Sequence, residues 1–461
     1  MTLIKSISGI RGTIGGLPGE NLTPPDIVAF TSGFATMMIH RYSRPRLIVG
    51  RDGRNSGEMV QSLVQATLVA LGVDVFDAGL TTTPSLEMGI IHHQTHGGIM
   101  ITASHNPMEW NALKFMNEKG EFIDNETGKK VLELGESPIK YGTHHSIGSV
   151  TKMEDTIGQH IDAILNLPLV QVDAIKTKKY KVVLDAINST GALAIPPLLA
   201  RLGAECIILN GEINGVFNHN PEPLPENIIE IRQAVVERKA DLGIIVDPDV
   251  DRLALVSQDG SFFGEEYTLV AVADYVLSHT PGNTVSNLSS TLALRDVTHA
   301  HGGNYFSSAV GEVNVVSRMK EVDAIIGGEG NGGIIYPELH YGRDAMVGIA
   351  LFLSLMATKN TTASALRASY PEYEMSKNKI ELHDKNQIDQ ILEKIKIKYA
   401  KYDINTEDGV KITMKNEWVH LRRSNTEPII RIYAESKTKE KADILANDLI
   451  HSIQEIQLLL K

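Results

Sequence analysis

Three aspartates alternate along Asp247-Pro248-Asp249-Val250-Asp251, and Arg252 follows at once. Carboxylates at every second position of an extended loop cannot all ionise side by side without a cation. An all-oxygen donor set suits a hard ion such as Mg²⁺. An EF-hand would need glycine and glutamate where Arg252 and Gln258 stand, so that reading fails. The bland alternative is a solvated acidic turn. Arg252 puts a fixed cation beside the acids, which serves only an anionic ligand. A second polar loop, Thr102-Ala103-Ser104-His105-Asn106-Pro107, offers Ser104 as a nucleophile and His105 as a proton carrier. Adjacent residues on an extended chain point oppositely, so a hydrolase-type dyad is not expected. The G-x-S-x-G elbow is also missing. A purely structural loop is the alternative here. Lys114 follows shortly and supplies another cation.

Two further loops complete the inventory. Gly328-Glu329-Gly330-Asn331-Gly332-Gly333 formally matches G-x-G-x-x-G. The following Ile334-Ile335-Tyr336-Pro337 does not open a helix, and no acidic residue stands in strand context about 20 positions on. A dinucleotide site is therefore discounted. The glycines let backbone approach a ligand, and Glu329 with Asn331 suits vicinal sugar hydroxyls. Arg422-Arg423-Ser424-Asn425-Thr426-Glu427-Pro428, with Arg431 beyond, reads as a phosphate clamp or as a polar hairpin turn. Arg11, in Ser8-Gly9-Ile10-Arg11-Gly12, could extend a positive surface near Ser104 together with Arg51 and Arg54. The remaining histidines, such as His92, His93, His96, His299 and His301, lack carboxylate company and read as surface or helix residues.

These loops need elements to hold them. Arg46–Gly50, Gly97–Ile101, Leu242–Val246 and Ala324–Ile326 are short, largely apolar runs, and each ends in a polar loop, the first in Arg51-Asp52-Gly53-Arg54. Such runs read as buried, parallel strands covered on both faces. Gly57–Leu71, with Met59, Leu63, Leu68 and Leu71 near helical spacing, Ile228–Lys239 and Glu266–Leu277 read as helices between them. Strand and helix alternate, which is an α/β architecture, with ligands expected at the carboxyl ends of strands. The pattern repeats crudely three times. Gly142–Met153 reads as a linker, and further breaks fall near Arg252–Gly260 and Thr358–Tyr373. The tail differs: charged helical patterns at Gln387–Tyr399 and Thr438–Leu459 surround strand-like Gly409–Met414, Trp418–Arg422 and Ile429–Tyr433. That is an α+β domain with an antiparallel sheet.

Composition narrows the function. The chain has 461 residues, and its charge of 44 − 56 = −12 disfavours nucleic acid as a partner. A single cysteine, Cys206, excludes an internal disulfide and a cysteine zinc cage. No apolar stretch reaches the roughly 18 residues of a membrane span. The opening MTLIKSISGIRGTIGG shows no signal-peptide pattern. A hydroxyl nucleophile, a hard metal, a sugar reader and a phosphate clamp together are an inventory for moving a phosphoryl group on a phosphosugar.

At these residues the sequence resembles the α-D-phosphohexomutase family. TASHNP at 102–107 matches its phosphoserine loop, and Asp247–Arg252 its D-x-D-x-D-R metal loop. Gly328–Gly332 matches its sugar loop and Arg422–Pro428 its phosphate loop, all in family order. The resemblance implies three similar mixed α/β domains around a central cleft plus a carboxy-terminal α+β domain, with boundaries at 1–150, 151–253, 254–365 and 366–461. It implies that Ser104 carries phosphate, and that Asp247, Asp249, Asp251 and a phosphoserine oxygen hold Mg²⁺. Arg252 then stabilises the phosphoryl in flight, and Lys114, or more weakly His105, assists proton transfer. Glu329 and Asn331 would hold sugar hydroxyls. Arg422, Ser424, Asn425, Thr426 and Arg431 would grip the idle phosphate, and Arg11 is assigned to substrate binding. A hexose phosphate substrate, a hexose bisphosphate activator, a monomer or homodimer and a cytoplasmic location follow from the same resemblance. Departures are an opening Ser6-Ile7-Ser8-Gly9-Ile10-Arg11-Gly12 that matches only the second half of the family's F-G-T-D/S-G-x-R-G, Pro248 and Val250 where glycine is common, Asn331 where many members have serine, and Gly333 where phosphoglucosamine mutases often have histidine. The expected reaction is glucosamine-6-phosphate to glucosamine-1-phosphate, with mannose or glucose phosphates as the runner-up. A phosphatase acting through water on phospho-Ser104 is a further alternative.

Overall fold

A computed structural model describes residues 2–6, 9–381, 387–423 and 429–459. The chain forms two compact units, one from Met1–Tyr275 with Asn331–Leu366, the other from Val276–Gly330 with Arg367–Lys461.

The first unit holds two sheets. The larger runs in the order Ile4–Ser6, Gly9–Thr13, Trp110–Met116, Gly97–Ile101, Arg46–Arg51, Asp74–Leu80, Val150–Lys152. Gly97–Ile101 is parallel to Arg46–Arg51 but antiparallel to Trp110–Met116, so the sheet is mixed. The smaller sheet orders Leu253–Ser257, Leu242–Val246, Lys181–Asp185 and Glu205–Leu209. Leu242–Val246 is parallel to Lys181–Asp185 and antiparallel to Leu253–Ser257. The strand after the aspartates thus turns straight back onto the strand before them. All five residues of Leu242–Val246 and of Gly97–Ile101 are buried, as unbroken apolar runs require.

Helices follow the expected pattern with local differences. Gly57–Ala70 is helical; of the expected stripe, Leu68 and Leu71 are buried and Leu63 packs on the core, but Met59 is exposed, and Val60 and Val64 are buried as well. The helix Thr83–His92 starts after Thr82, whose hydroxyl accepts from the Ser85 N–H, with Pro84 in the first turn. Within the expected linker Gly142–Met153, Val150–Lys152 forms an exposed edge strand parallel to Asp74–Leu80. Backbone pairing decides this, not side-chain burial. The helix Ala345–Lys359 is buried almost all round and packs on helices Thr156–Leu165 and Val172–Lys178.

The second unit contains a parallel set, Tyr305–Ser308, Asn283–Asn287 and Ala324–Glu329. It also contains the five-stranded antiparallel sheet Glu374–Glu381, Ile429–Ser436, Glu417–Arg423, Val410–Met414, Asp403–Asn405. Ile388, Ile391 and Ile395 from helix Gln387–Lys398 and Ala446, Leu449 and Ile453 from helix Lys439–Leu459 share one core with Val419, Leu421, Ile430 and Ile432 of this sheet.

Candidate active site

In the first unit, Ser104 and the three aspartates converge although 143 positions separate Ser104 from Asp247. Ser104 Oγ donates to Asp247 Oδ2 at 2.6 Å. Ser104 is buried and sits at φ +49°, the left-handed region that a side chain adopts at a cost. Its loop is held from within. The Ser104 N–H donates to Thr102 Oγ1 (2.9 Å), and the Thr102 hydroxyl donates to Asp52 Oδ2 (2.7 Å). Arg54 donates from below to the carbonyls of Ser104, Asn106, Pro107 and Trp110. This overturns the expectation of a positive surface from Arg51 and Arg54. Arg54 is wholly buried and pairs with Asp52, and Arg51 donates to Gln61 Oε1 and to the Asp52 carbonyl. Ser189 bonds the two loops together: it accepts from the Gly53 N–H and donates to the Pro248 carbonyl.

The aspartate loop is fully buried, which excludes the solvated-turn reading. Asp247 Oδ1 accepts from the N–H groups of Asp251 and Arg252. Asp249 Oδ2 accepts from Thr83 Oγ1 (2.6 Å) and Lys114 Nζ (2.8 Å). Asp251 Oδ2 accepts from Arg343 Nη2 (2.6 Å) and, at 3.5 Å, from Lys114 Nζ. Val250, between them, has φ +64°, a strained value for a β-branched residue where glycine would fit freely.

Charge in this cluster is unbalanced. Burial, then Asp251 and Asp249, push the Asp247 carboxyl well above the usual range. Burial opposes ionisation of Asp249, yet the Lys114 ammonium beside it holds it below the usual range. Lys114 itself is kept charged against burial by Asp249 and Asp251. Burial, then the charges of Arg252, Arg11 and Arg343, hold the His105 imidazole neutral, and its Nδ1 has no hydrogen-bond partner. Arg252 approaches Glu222 (3.5 Å) and Asp251 (4.0 Å).

The three aspartates fit a metal ion. Ligand oxygens from the three lie within 4.8 Å of one another. Asp249 Oδ1 and Asp251 Oδ1 are buried without a hydrogen-bond partner. Leaving carboxylate oxygens so is costly in a packed interior, and a hard cation removes that cost.

The other expected residues divide between the units. Asn331 belongs to the first, where its Oδ1 accepts from the Gly333 N–H (3.2 Å). Glu329 belongs to the second, where its Oε1 accepts from Asn287 Nδ2 (3.0 Å) and the Gly311 N–H (3.1 Å). Arg422 pairs with Asp408 at 2.6 Å. Arg431 lies directly opposite Arg422 on one neighbouring strand and opposite Lys379 on the other, so three cations share one face. Ser424, Asn425 and Thr426 lie outside the described residues.

Thr83, Arg343, Asp52 and Lys379 carry no motif in the sequence. The histidine reading also needs correction. His160 Nε2 (3.0 Å) and His340 Nε2 (3.4 Å) both meet Asp344 Oδ2, and His340 Nδ1 lies 3.3 Å from Glu87. His219 pairs with Asp185 at 2.8 Å. These carboxylates come from distant segments, so adjacency in sequence could not reveal them.

Comparison with known proteins decides the family. The four domains of the phosphoglucomutase/phosphomannomutase family match in order: α/β/α domain I over residues 3–141, domain II over 158–260, domain III over 264–373, and the C-terminal domain over 378–452. The chain belongs to this family. It is a phosphohexomutase, an isomerase of hexose phosphates. A phosphoglucomutase/phosphomannomutase of Thermococcus kodakarensis is 35% identical over 94% of this phosphohexomutase and 95% of its own length. A phosphoglucosamine/phosphogalactosamine mutase of Sulfurisphaera tokodaii is 31% identical over 96% and 97%. The crystal structure of a family protein from Burkholderia thailandensis shares the fold, with a TM-score of 0.85, 24% identity and coverage of 98% and 97%. Among the described residues of the phosphohexomutase, no helix is long and apolar enough to cross a membrane.

Proposed function

We propose that this phosphohexomutase interconverts glucosamine-6-phosphate and glucosamine-1-phosphate through a phosphoserine at Ser104 and a bisphosphorylated sugar. The observation that carries the reading is the Ser104 Oγ to Asp247 Oδ2 bond, beside two aspartates whose inner oxygens lack partners. Asp247, Asp249, Asp251 and an oxygen on Ser104 would hold Mg²⁺. When bound, that ion supplies positive charge to the phosphoryl group in transfer.

The chain's own residues do the rest. The O–P bond at Ser104 breaks as a new one forms to a sugar hydroxyl oxygen. Phosphoryl transfer passes through a loose transition state, so positioning and fixed charge matter most. Arg252 faces that charge. Lys114, held as an ammonium by Asp249 and Asp251, would assist proton transfer with the sugar hydroxyl. His105, kept neutral by burial and the surrounding arginines, is the weaker candidate for that proton. Glu329 and Asn331 bind sugar hydroxyls, Arg422, Ser424, Asn425, Thr426 and Arg431 bind the idle phosphate, and Arg11, whose charge acts on His105 next to Ser104, binds substrate on that side. The bisphosphate then turns over, and its other phosphate returns to Ser104.

Mannose or glucose phosphates are the second reading, favoured by the name of the Thermococcus kodakarensis relative and by Gly333 in the sugar loop. A panel of glucosamine, N-acetylglucosamine, glucose and mannose phosphates, with Mg²⁺ and a trace of hexose bisphosphate, separates the two by kcat/KM. Preference for glucosamine phosphates supports the first reading, and preference for mannose or glucose phosphates replaces it. Ser104→Ala is expected to abolish turnover yet still bind sugar phosphate. Normal turnover in that variant would overturn the nucleophile assignment, and release of inorganic phosphate without isomerisation would make the protein a phosphatase.

A further inference from the structure

We propose that Arg343 is a positioning residue that sets the Asp251 carboxylate for the metal, and that residue 333 is glycine because the arginine stem fills the space of a side chain there. The inference rests on the metal reading above.

A carboxylate rotates about a broad, roughly two-fold torsion, so a useful ligand needs its outer oxygen fixed. Each aspartate here has such a partner. Backbone N–H groups hold Asp247, Thr83 and Lys114 hold Asp249, and Arg343 holds Asp251 at 2.6 Å. Lys114 reaches Asp251 only at 3.5 Å, so Arg343 is the nearer anchor. The other oxygen of Asp251, Oδ1, is buried without a hydrogen-bond partner, with Arg252 Nε 4.0 Å away.

Arg343 is itself held in place. It is 8% exposed. The next residue, Asp344, donates its N–H to the Ile334 carbonyl, and its Oδ1 accepts from the N–H groups of Met346 and Val347 at the start of a helix. Asp344 Oδ2 is held in turn by His160 at 3.0 Å. The backbone of Arg343 therefore cannot yield readily.

Gly333 shows what this placement requires. Its φ is not in the left-handed region, so the backbone there does not call for glycine. A Cβ at this position would lie 2.4 Å from Arg343 Cδ and 3.1 Å from Cγ. Those atoms are mid-stem, between a fixed backbone and a tip bonded to Asp251. A side chain at 333 would displace the arginine stem, and with it the guanidinium from Asp251, and would also crowd Asn331 Oδ1 at 3.1 Å. The Gly333 N–H also closes a turn onto Asn331 Oδ1, and the Gly332 carbonyl accepts from the Leu253 N–H just after the aspartate loop.

The test is Mn²⁺ binding to the full-length protein, read from the electron paramagnetic resonance signal of free Mn²⁺ and checked by calorimetry. Arg343→Ala is expected to weaken binding by about 10–100-fold, the usual cost of losing a partner behind a metal ligand. Gly333→Ala is expected to weaken it in the wild-type background and to add nothing in the Arg343→Ala background. Melting temperature in EDTA reports separately on folding, and Arg343→Lys, with one charge and a shorter reach, is expected to fall between. If Asp251→Asn loses Mn²⁺ while Arg343→Ala binds it normally, the inference fails and the metal reading stands. If Asp251→Asn also binds normally, the metal reading fails. Equal losses from Gly333→Ala in both backgrounds would overturn the steric link, and if Arg343→Ala does not fold, wild-type binding by Gly333→Ala overturns it alone.

Discussion

Arg54 Nη2 donates to the carbonyl oxygen of Ser104 across 2.6 Å. The same guanidinium reaches the carbonyls of Asn106, Pro107 and Trp110 and the Asp52 carboxylate. One buried cation thus fixes both ends of the loop that presents Ser104. The left-handed backbone of Ser104 costs on the order of 1–3 kcal/mol and persists only under such constraint. Arg54→Lys keeps the charge but loses the fork that serves several carbonyls at once. Misplacement of a nucleophile by an ångström can lower the rate by about 100-fold. We expect kcat to fall by roughly that factor, with a lower melting temperature. Wild-type kcat in Arg54→Lys would show that the loop holds its shape unaided.

Glu329 is aimed by Asn287, which donates to its Oε1 at 3.0 Å, and by the Gly311 N–H. A hydrogen bond to a charged group contributes about 1.5–3 kcal/mol. Asn287→Ala should raise KM for the sugar phosphate by about tenfold or more, since about 1.4 kcal/mol is a factor of ten. Asn287→Asp removes a donor and adds a like charge, so its loss should be larger and should ease as pH falls. Steady-state kinetics between pH 6 and 8 check both, and an unchanged KM in Asn287→Ala would remove Asn287 from the site.

Much of this was legible in the sequence, for a physical reason. Leu242–Val246 and Gly97–Ile101 are unbroken apolar runs that can only be buried strands, and the polar loops after them hold residue types with little other use. Asp247, Asp249 and Asp251 stood out by their spacing and by the apolar strand that leads into them. The residues that aim them did not show. Thr83 and Arg343, like Arg54 under the Ser104 loop, are ordinary residue types from remote segments, and their roles exist only once the chain is folded. His160, His340 and Asp344 form a group only in space. All three residues of Val150–Lys152 are exposed, so no alternation marked it as a strand inside the expected linker. Val250, where glycine is common, was visible as a departure, but its positive φ was not.

Lys379, Arg431 and Arg422 stand opposite one another on three adjacent strands. Like charges so placed repel, and Asp408 offsets only Arg422 directly. An anion on that face would relieve the repulsion. Inorganic phosphate should therefore raise the melting temperature of the wild type more than that of Arg431→Gln or Lys379→Gln. Each variant should also raise KM for sugar phosphate, with a weaker dependence on salt. Equal phosphate stabilisation of all three proteins would remove this face from the phosphate site.

His420 should make the protein sensitive to acid. It is buried in the antiparallel sheet, where Nε2 meets the Asp408 carbonyl at 2.7 Å and Nδ1 meets Ser289 Oγ at 2.9 Å. A carbonyl only accepts, so Nε2 carries the proton and Nδ1 accepts from the Ser289 hydroxyl. Burial, aided by the charges of Lys411 and Arg422, depresses its pKa to about 4. The unfolded chain takes up this proton near pH 6.5 and the folded chain only near 4, so the unfolded state binds more protons between those values. Stability from this group is fully present above about pH 6.5 and is lost as pH falls toward 4, by about 3 kcal/mol at most. His420→Gln, which can still donate to the Asp408 carbonyl but cannot titrate, should flatten that part of the profile at some cost in packing. Urea unfolding at pH 7, 5.5 and 4.5 checks this, followed by the fluorescence of Trp418, buried two residues away. The same slope in wild type and variant would mean that other groups govern acid unfolding.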